Sequence, residues 1–91
     1  MNPIVRQMVN QKIRNLTVKE LIKLGRENNI SLTVKQATAV LNILQDQPFD
    51  IGNKNIVLNV NNQLKQLDPA LYKKARQLLK PYESYLDYSL D

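Results

Sequence analysis

Apolar and polar positions along this chain recur at three- and four-residue steps, the period of amphipathic helices, and one helix-start signal is written twice. Leu16-Thr17-Val18-Lys19-Glu20-Leu21 is followed by Leu32-Thr33-Val34-Lys35-Gln36-Ala37. In each copy the threonine is placed to accept from a backbone N–H of the first turn, and the Glu or Gln three residues later to reach back. The Leu before each Thr and the apolar residue four positions after it are spaced to staple the start. The helices that follow, about Val18 to Asn28 and about Val34 to Asp46, are expected to form a central hairpin. Val18, Leu21, Ile22 and Leu24 turn inward in the first. Asn28-Asn29 stops it, because Asn tolerates the left-handed conformation, and Ile30 anchors the link. The second has the widest apolar arc: Val34, Ala37, Val40, Leu41, Ile43 and Leu44. An arc that wide needs cover on more than one side, which places this helix at the centre. Lys35, Thr38, Asn42, Gln45 and Asp46 fall on its outer side.

Asn2-Pro3 opens an earlier helix as cap and first helical residue. Ile4, Val5, Met8, Val9, Ile13 and Leu16 give it one apolar face, with Arg6, Asn10 and Arg14 opposite. Lys12 lies within the apolar arc, its stem along the core edge and its ammonium in water. Beyond the hairpin, Pro48 closes the central helix and Gln47 to Lys54 is the longest link. Asn55 to Leu67 carries two signals. Ile56-Val57-Leu58-Asn59-Val60 has the β-branched content of a strand, whereas Ile56, Val60, Leu64 and Leu67 recur as in a helix. A lone strand has no partner elsewhere in the sequence, so the segment is read as a helix capped by Asn53. Asp68-Pro69 repeats the opening device, and the helix it starts runs to about Lys80 with Leu71, Ala75, Leu78 and Leu79 inward. Lys73, Arg76 and Lys80 share its outer stripe, with Lys74 flanking the apolar side. After Pro81, the spacing of Tyr82, Tyr85 and Tyr88 suits a helical stripe over the end of the bundle. Tyr82, Tyr85 and Leu86 are placed to dock as a short further turn, and Asp87 and Asp91 read as part of a fraying acidic tail.

Composition narrows the chemistry. With 91 residues the chain makes one domain, able to hide roughly 60–65% of the surface its unfolded form exposes. The absence of Cys removes disulfides and thiolate chemistry, and the absence of His removes the commonest metal ligand and general base. Eight scattered carboxylates leave little from which to build a catalytic pair. No catalytic, metal or cofactor-binding residues are expected, and the reading is not an enzyme. Asn and Gln make up about a fifth of the chain, but they fall between apolar positions at helical spacing and read as uncharged outer faces. No apolar run approaches the roughly 20 residues of a membrane span, and Met1-Asn2-Pro3 does not lead into a signal-peptide pattern. A cytoplasmic protein is expected.

The combination of Asn2-Pro3, Gln7-Met8, Lys12, Asn15-Leu16-Thr17, Glu20-Leu21, Ile30, Leu32-Thr33 and Gln36-Ala37 resembles the small YqfT-like proteins of Bacillus-type bacteria, a family of unassigned function. The likeness is clearest over the first half. It is carried by caps and core residues, so it implies a fold and a cytoplasmic bacterial setting but no catalytic or ligand residues.

The net charge of +5 permits an anionic partner. Seven basic against three acidic residues fall at or before Asp46, and six against five after it, so such a partner should meet the first three helices. Candidate nucleic-acid contacts there are Arg6, Arg14, Lys19, Lys23, Arg26 and Lys35. Pairing of Lys23 with Glu20 and Glu27 along the helix would partly blunt that stripe. The hairpin has the lengths of a helix-turn-helix DNA reader, yet its second helix shows only Lys35, Thr38, Asn42 and Gln45 outward, ending in Asp46. The competing reading of the same pair is a core αα-hairpin. The expectation is therefore an all-α fold, a compact orthogonal bundle of four to five short helices around a central helix-turn-helix-like hairpin. Residues 1–80 form the single domain, and 81–91 a short C-terminal turn and acidic tail. The expected function is a non-enzymatic protein-interaction module with a protein partner or a second copy of itself, without a cofactor and away from membranes. The alternative is a basic nucleic-acid-binding protein that contacts phosphates.

Overall fold

A helix leaves its first N–H groups unpaired, and this chain places a short polar side chain at each α-helix start. The computed structural model describes residues 2–88, the side chains of Pro81 and Tyr82 excepted. Helix α1 (Pro3–Asn15) begins on Asn2, whose Oδ1 accepts from the Ile4 N–H at 2.8 Å. Helices α2 (Val18–Glu27) and α3 (Val34–Gln45) begin on the two threonines. At Thr33 both halves of the capping box form, Gln36 N–H to Thr33 Oγ1 at 3.0 Å and Thr33 N–H to Gln36 Oε1 at 3.0 Å. At Thr17 the hydroxyl accepts from the Glu20 N–H at 3.1 Å and donates to the Glu20 carboxylate at 2.9 Å. The same written signal thus closes in two ways. Helix α4 (Lys54–Leu67) starts on Asn53 and α5 (Pro69–Leu79) on Asp68, which resolves the ambiguous segment as helix. A 3₁₀ turn (Lys80–Tyr85) follows α5.

The turn out of α2 is a Schellman motif. Asn29 sits at φ 61°, its N–H donates to Arg26 O at 3.1 Å, and the Ile30 N–H donates to Gly25 O at 2.8 Å. Gly25 is required for this return: a Cβ there would lie 2.8 Å from Ile30 O and 3.3 Å from Leu32 Cδ1. The link therefore runs flat against the helix and delivers Leu32 into the core.

Helix α3 is central. It packs against α1, α2 and α4, while α5 covers α4. Ala37, Val40 and Leu41 of α3 are buried together with Leu21, Ile30, Leu32, Val60, Leu64 and Leu71. Ile51 and Val57 form a second, smaller cluster with Val9, Phe49, Leu86 and Tyr88 around them. Two inward assignments from the sequence are corrected here. Val34 is 66% exposed, because Leu32, just ahead of the cap, fills the core at that end. In α4 the buried side is Val57, Val60, Asn61 and Leu64, a rotation from the expected Ile56-Val60-Leu64-Leu67 arc that leaves Leu67 57% exposed. That rotation lets one helix serve both clusters, Val57 toward the small one and Val60 and Leu64 toward the large one.

The rotation also buries Asn61, whose Nδ2 has no hydrogen-bond partner. A buried polar atom left unpaired costs about 1–3 kcal/mol. Asn61→Leu should accordingly raise the urea midpoint by about 1 kcal/mol or more in stability, and a lower midpoint would show the amide to be satisfied. Thr17→Ala and Thr33→Ala should each lose about 0.5–2 kcal/mol in the same measurement, since each removes the hydroxyl that accepts from a first-turn backbone N–H. Unchanged melts for both would mean the caps carry no stability.

Candidate interaction surfaces

Helix α1 has no fully buried residue. Of its expected apolar face, Val5, Val9, Ile13 and the following Leu16 are half-buried, whereas Ile4 is 69% and Met8 64% exposed. The side that docks is turned toward the residues read as outer. Arg6 lays its guanidinium across the Asp50 carboxylate, Nε on Oδ1 at 2.8 Å and Nη2 on Oδ2 in a short ion pair. Asn10 Nδ2 donates to Asp50 Oδ1 at 2.9 Å, and Asn10 Oδ1 accepts from the Ile51 N–H at 2.7 Å. The Gly52 N–H donates to Asp50 Oδ1 at 3.0 Å. A Cβ at Gly52 would overlap the Arg6 guanidinium, so glycine is what lets the arginine lie there. The far end of α1 is held by Gln45, whose Nε2 donates to Ile13 O at 3.0 Å and Leu16 O at 2.8 Å. The link after α3 offers a carboxylate and backbone groups that only polar partners can match. The helix turns accordingly, and its Ile4–Met8 stripe is left outside.

This clasp sets the local electrostatics. The Arg6 guanidinium holds the Asp50 carboxyl well below the usual carboxylate range, helped by Asn10 and the Gly52 N–H against a partial loss of water. Arg6 is raised in turn by Asp50. Tyr88 donates its hydroxyl to Ile51 O at 2.5 Å, and burial, then the Asp50 charge, push its phenol up.

The candidate phosphate contacts divide. Arg6 is held in the clasp, while Arg14, Lys19, Lys23, Arg26 and Lys35 are exposed. Lys19, Lys23 and Arg26 share the side of α2 away from Leu21 and Gly25. The expected pairs of Lys23 with Glu20 and Glu27 do not form: the Glu20 carboxylate is on the Thr17 hydroxyl. Arg76 also leaves its expected outer stripe, donating to the Tyr72 hydroxyl at 3.0 Å and to Glu83 at 3.1 Å, and so ties the 3₁₀ turn to α5. Lys74, which flanks the apolar side as expected, donates to Ser31 O at 2.8 Å.

The helix-turn-helix reading loses two of its outward side chains. Gln45 is committed to the end of α1, and the Thr38 hydroxyl donates to Val34 O at 2.7 Å within its own helix. Asn42 instead lines a shallow open groove between α3 and α4, with Ala39, Ile43, Gln63, Gln66 and Leu67. The tyrosines do not form one stripe either, since Tyr85 is 55% exposed and Tyr88 is docked. The roles expected of the Tyr82 side chain and of Asp91 lie outside the described residues. Neither the Asp50 clasp nor the seat of Tyr88 was legible locally, because their partners are separated by more than thirty residues.

Among the described residues, no helix is long and apolar enough to cross a membrane, and no group of His, Cys, Asp or Glu gathers as a metal ion would require. The chain belongs to the family described as "Protein of unknown function (DUF2624)", which matches residues 1–83. No curated protein and no solved structure matches it.

Because the Asp50 carboxyl is lowered by folding, its contribution is fully present above about pH 4, the ordinary carboxylate value, and is lost as the pH falls below that. Arg6 is exposed, so the effect is screened by solvent. The melting temperature should fall between pH 4 and pH 2.5, and fall less steeply in Asp50→Asn. At pH 7 both Asp50→Asn and Gly52→Ala should melt below the parent. Parallel profiles for parent and Asp50→Asn would remove the clasp from the account.

Proposed function

We propose that this chain is a non-enzymatic interaction module of the bacterial cytoplasm that inserts α1 into an apolar groove on a protein partner. The reading rests on one observation: Ile4 and Met8, one helical turn apart on an otherwise amphipathic helix, stand 69% and 64% exposed. Anchors at four-residue spacing are how an amphipathic helix is recognised in a groove. Two such side chains fall short of the ~800 Å² per partner that a stable interface between flat surfaces buries, which favours a groove that wraps the helix over face-to-face pairing of two copies. The clasp and Gln45 support the same reading, since they hold α1 by its polar side and both ends of its register. The cellular setting is supported by the resemblance to the YqfT-like proteins.

The test places a photo-crosslinking residue at position 8 of α1 or at exposed position 77 of α5 in the native cell. Position 8 should yield a specific adduct that position 77 does not, and Ile4→Asp should weaken binding to the purified partner by about tenfold or more. Equal adducts at both positions, or an Ile4→Asp affinity unchanged, would sink the reading. Mass independent of concentration is also expected; growth of mass with concentration would favour the second copy.

A second reading, phosphate contact by Lys19, Lys23 and Arg26 with Arg14 and Lys35 beside them, is favoured by the missing Glu–Lys pairs on α2. Arg6 would join this set only by leaving Asp50. Phosphate contact requires duplex affinity that falls with salt at a log–log slope of about 0.9 per phosphate neutralised. Changing Lys19, Lys23 and Arg26 together to Gln should flatten that slope by about 2–3. No binding at low salt would remove this reading.

A further inference from the structure

Past the 3₁₀ turn the chain becomes extended at Leu86 (φ −78°, ψ 141°), whose N–H donates back to Glu83 O at 3.1 Å. The backbone then bends at Asp87 and Tyr88, and Leu86 and Tyr88 both pack on the Ile51–Val57 cluster beside Val9 and Phe49. The Tyr88 hydroxyl completes the seat on the Ile51 carbonyl at 2.5 Å. Asp87, between them, is exposed and lies within electrostatic reach of Arg6. A small apolar hollow, one backbone acceptor and a nearby guanidinium thus receive three consecutive residues. The hollow and its filling differ in one respect: Val9, Phe49, Ile51 and Val57 fall within the family match, and Leu86-Asp87-Tyr88 lies beyond its end at residue 83.

We infer that this hollow is a recognition groove for a peptide segment carrying an apolar residue and a tyrosine two positions apart with an acid between them, and that the chain's own Leu86-Asp87-Tyr88 occupies it as a built-in competitor. The groove uses Val9, not Ile4 or Met8, so it stands whether or not the α1 stripe meets a partner. The occupant places two side chains in the hollow and reads one backbone carbonyl through the Tyr88 hydroxyl. A short tether holds the internal segment at a millimolar effective concentration, so an outside segment must displace it to bind.

The test uses the full chain and a synthetic peptide spanning residues 84–88, read by methyl NMR at Val9, Ile51 and Val57. In the double variant Leu86→Ser/Tyr88→Ser the peptide should shift these methyls saturably, with an apparent affinity at least about tenfold tighter than for the parent chain. Tyr88→Phe, which keeps the ring and removes only the hydroxyl, should give an intermediate affinity. The same peptide made with Phe in place of its last Tyr should bind the double variant about two- to tenfold more weakly. No saturable shift in a folded double variant, or equal affinity for the parent and the double variant, would overturn the inference. If the double variant does not fold, a Tyr88→Phe affinity equal to the parent's overturns it alone.

Discussion

Helix α3 cannot stand in water on more than one side. Ala37 has no exposure, and Val40 and Leu41 beside it are buried almost as completely. Burial of each larger apolar side chain stabilises the fold by about 1.5–3 kcal/mol, so the wide face of α3 gathers the elements around it. Helix α2 is fixed to it by a Schellman turn that needs Gly25 and Asn29. Helix α4 is rotated until Val60 and Leu64 reach the common core. The cost of that rotation is visible at Asn61, which is carried inside, and at Leu67, which is carried out.

Helix α1 is held by a different physics. Its contacts with the body are an ion pair, the amide of Asn10 and the amide of Gln45, set around half-buried Val9 and Ile13. Directional bonds fix rotation about the helix axis more strictly than apolar contact does, and here they turn the Ile4–Met8 edge of the hydrophobic face outward. Two consequences follow from the one rotation. Ile4 and Met8 are left to solvent, and Val9 is brought to the Ile51–Val57 cluster where the C-terminal segment sits.

How much of this was written in the sequence depends on range. The helix starts are local, a cap and an N–H within three residues, and Asn2, Thr17, Thr33, Asn53 and Asp68 all act where the sequence places them. The left-handed Asn29 and the central place of α3 were legible for the same reason. Faces were harder. A period of 3.6 specifies that a helix has an apolar side, but which edge of a broad arc turns inward is decided by neighbours. Leu32 displaces Val34, and two clusters pull α4 off its expected arc. The clasp was hidden altogether: Arg6 and Asn10 look like any solvated stripe until Asp50, far along the chain, is brought to them. Of the candidate basic residues the sequence could give exposure but not pairing, so it missed that Arg6 is engaged and that Lys23 is not.

In a chain selected for folding alone, pattern and structure agree at each level, and local conflicts mark places where something else is being served. Most of this molecule shows no conflict. Besides those at Val34, Asn61 and Leu67, the disagreements lie on α1 and its neighbourhood: large apolar groups outside, polar groups on the docked side, and a small cluster closed by residues beyond the span that the family match covers. A solvent-accessible salt bridge contributes less stability than apolar burial would. Attaching α1 by Arg6 and Asn10 holds it in register while leaving its greasy stripe exposed. An apolar attachment would have buried Ile4 and Met8 and closed that surface.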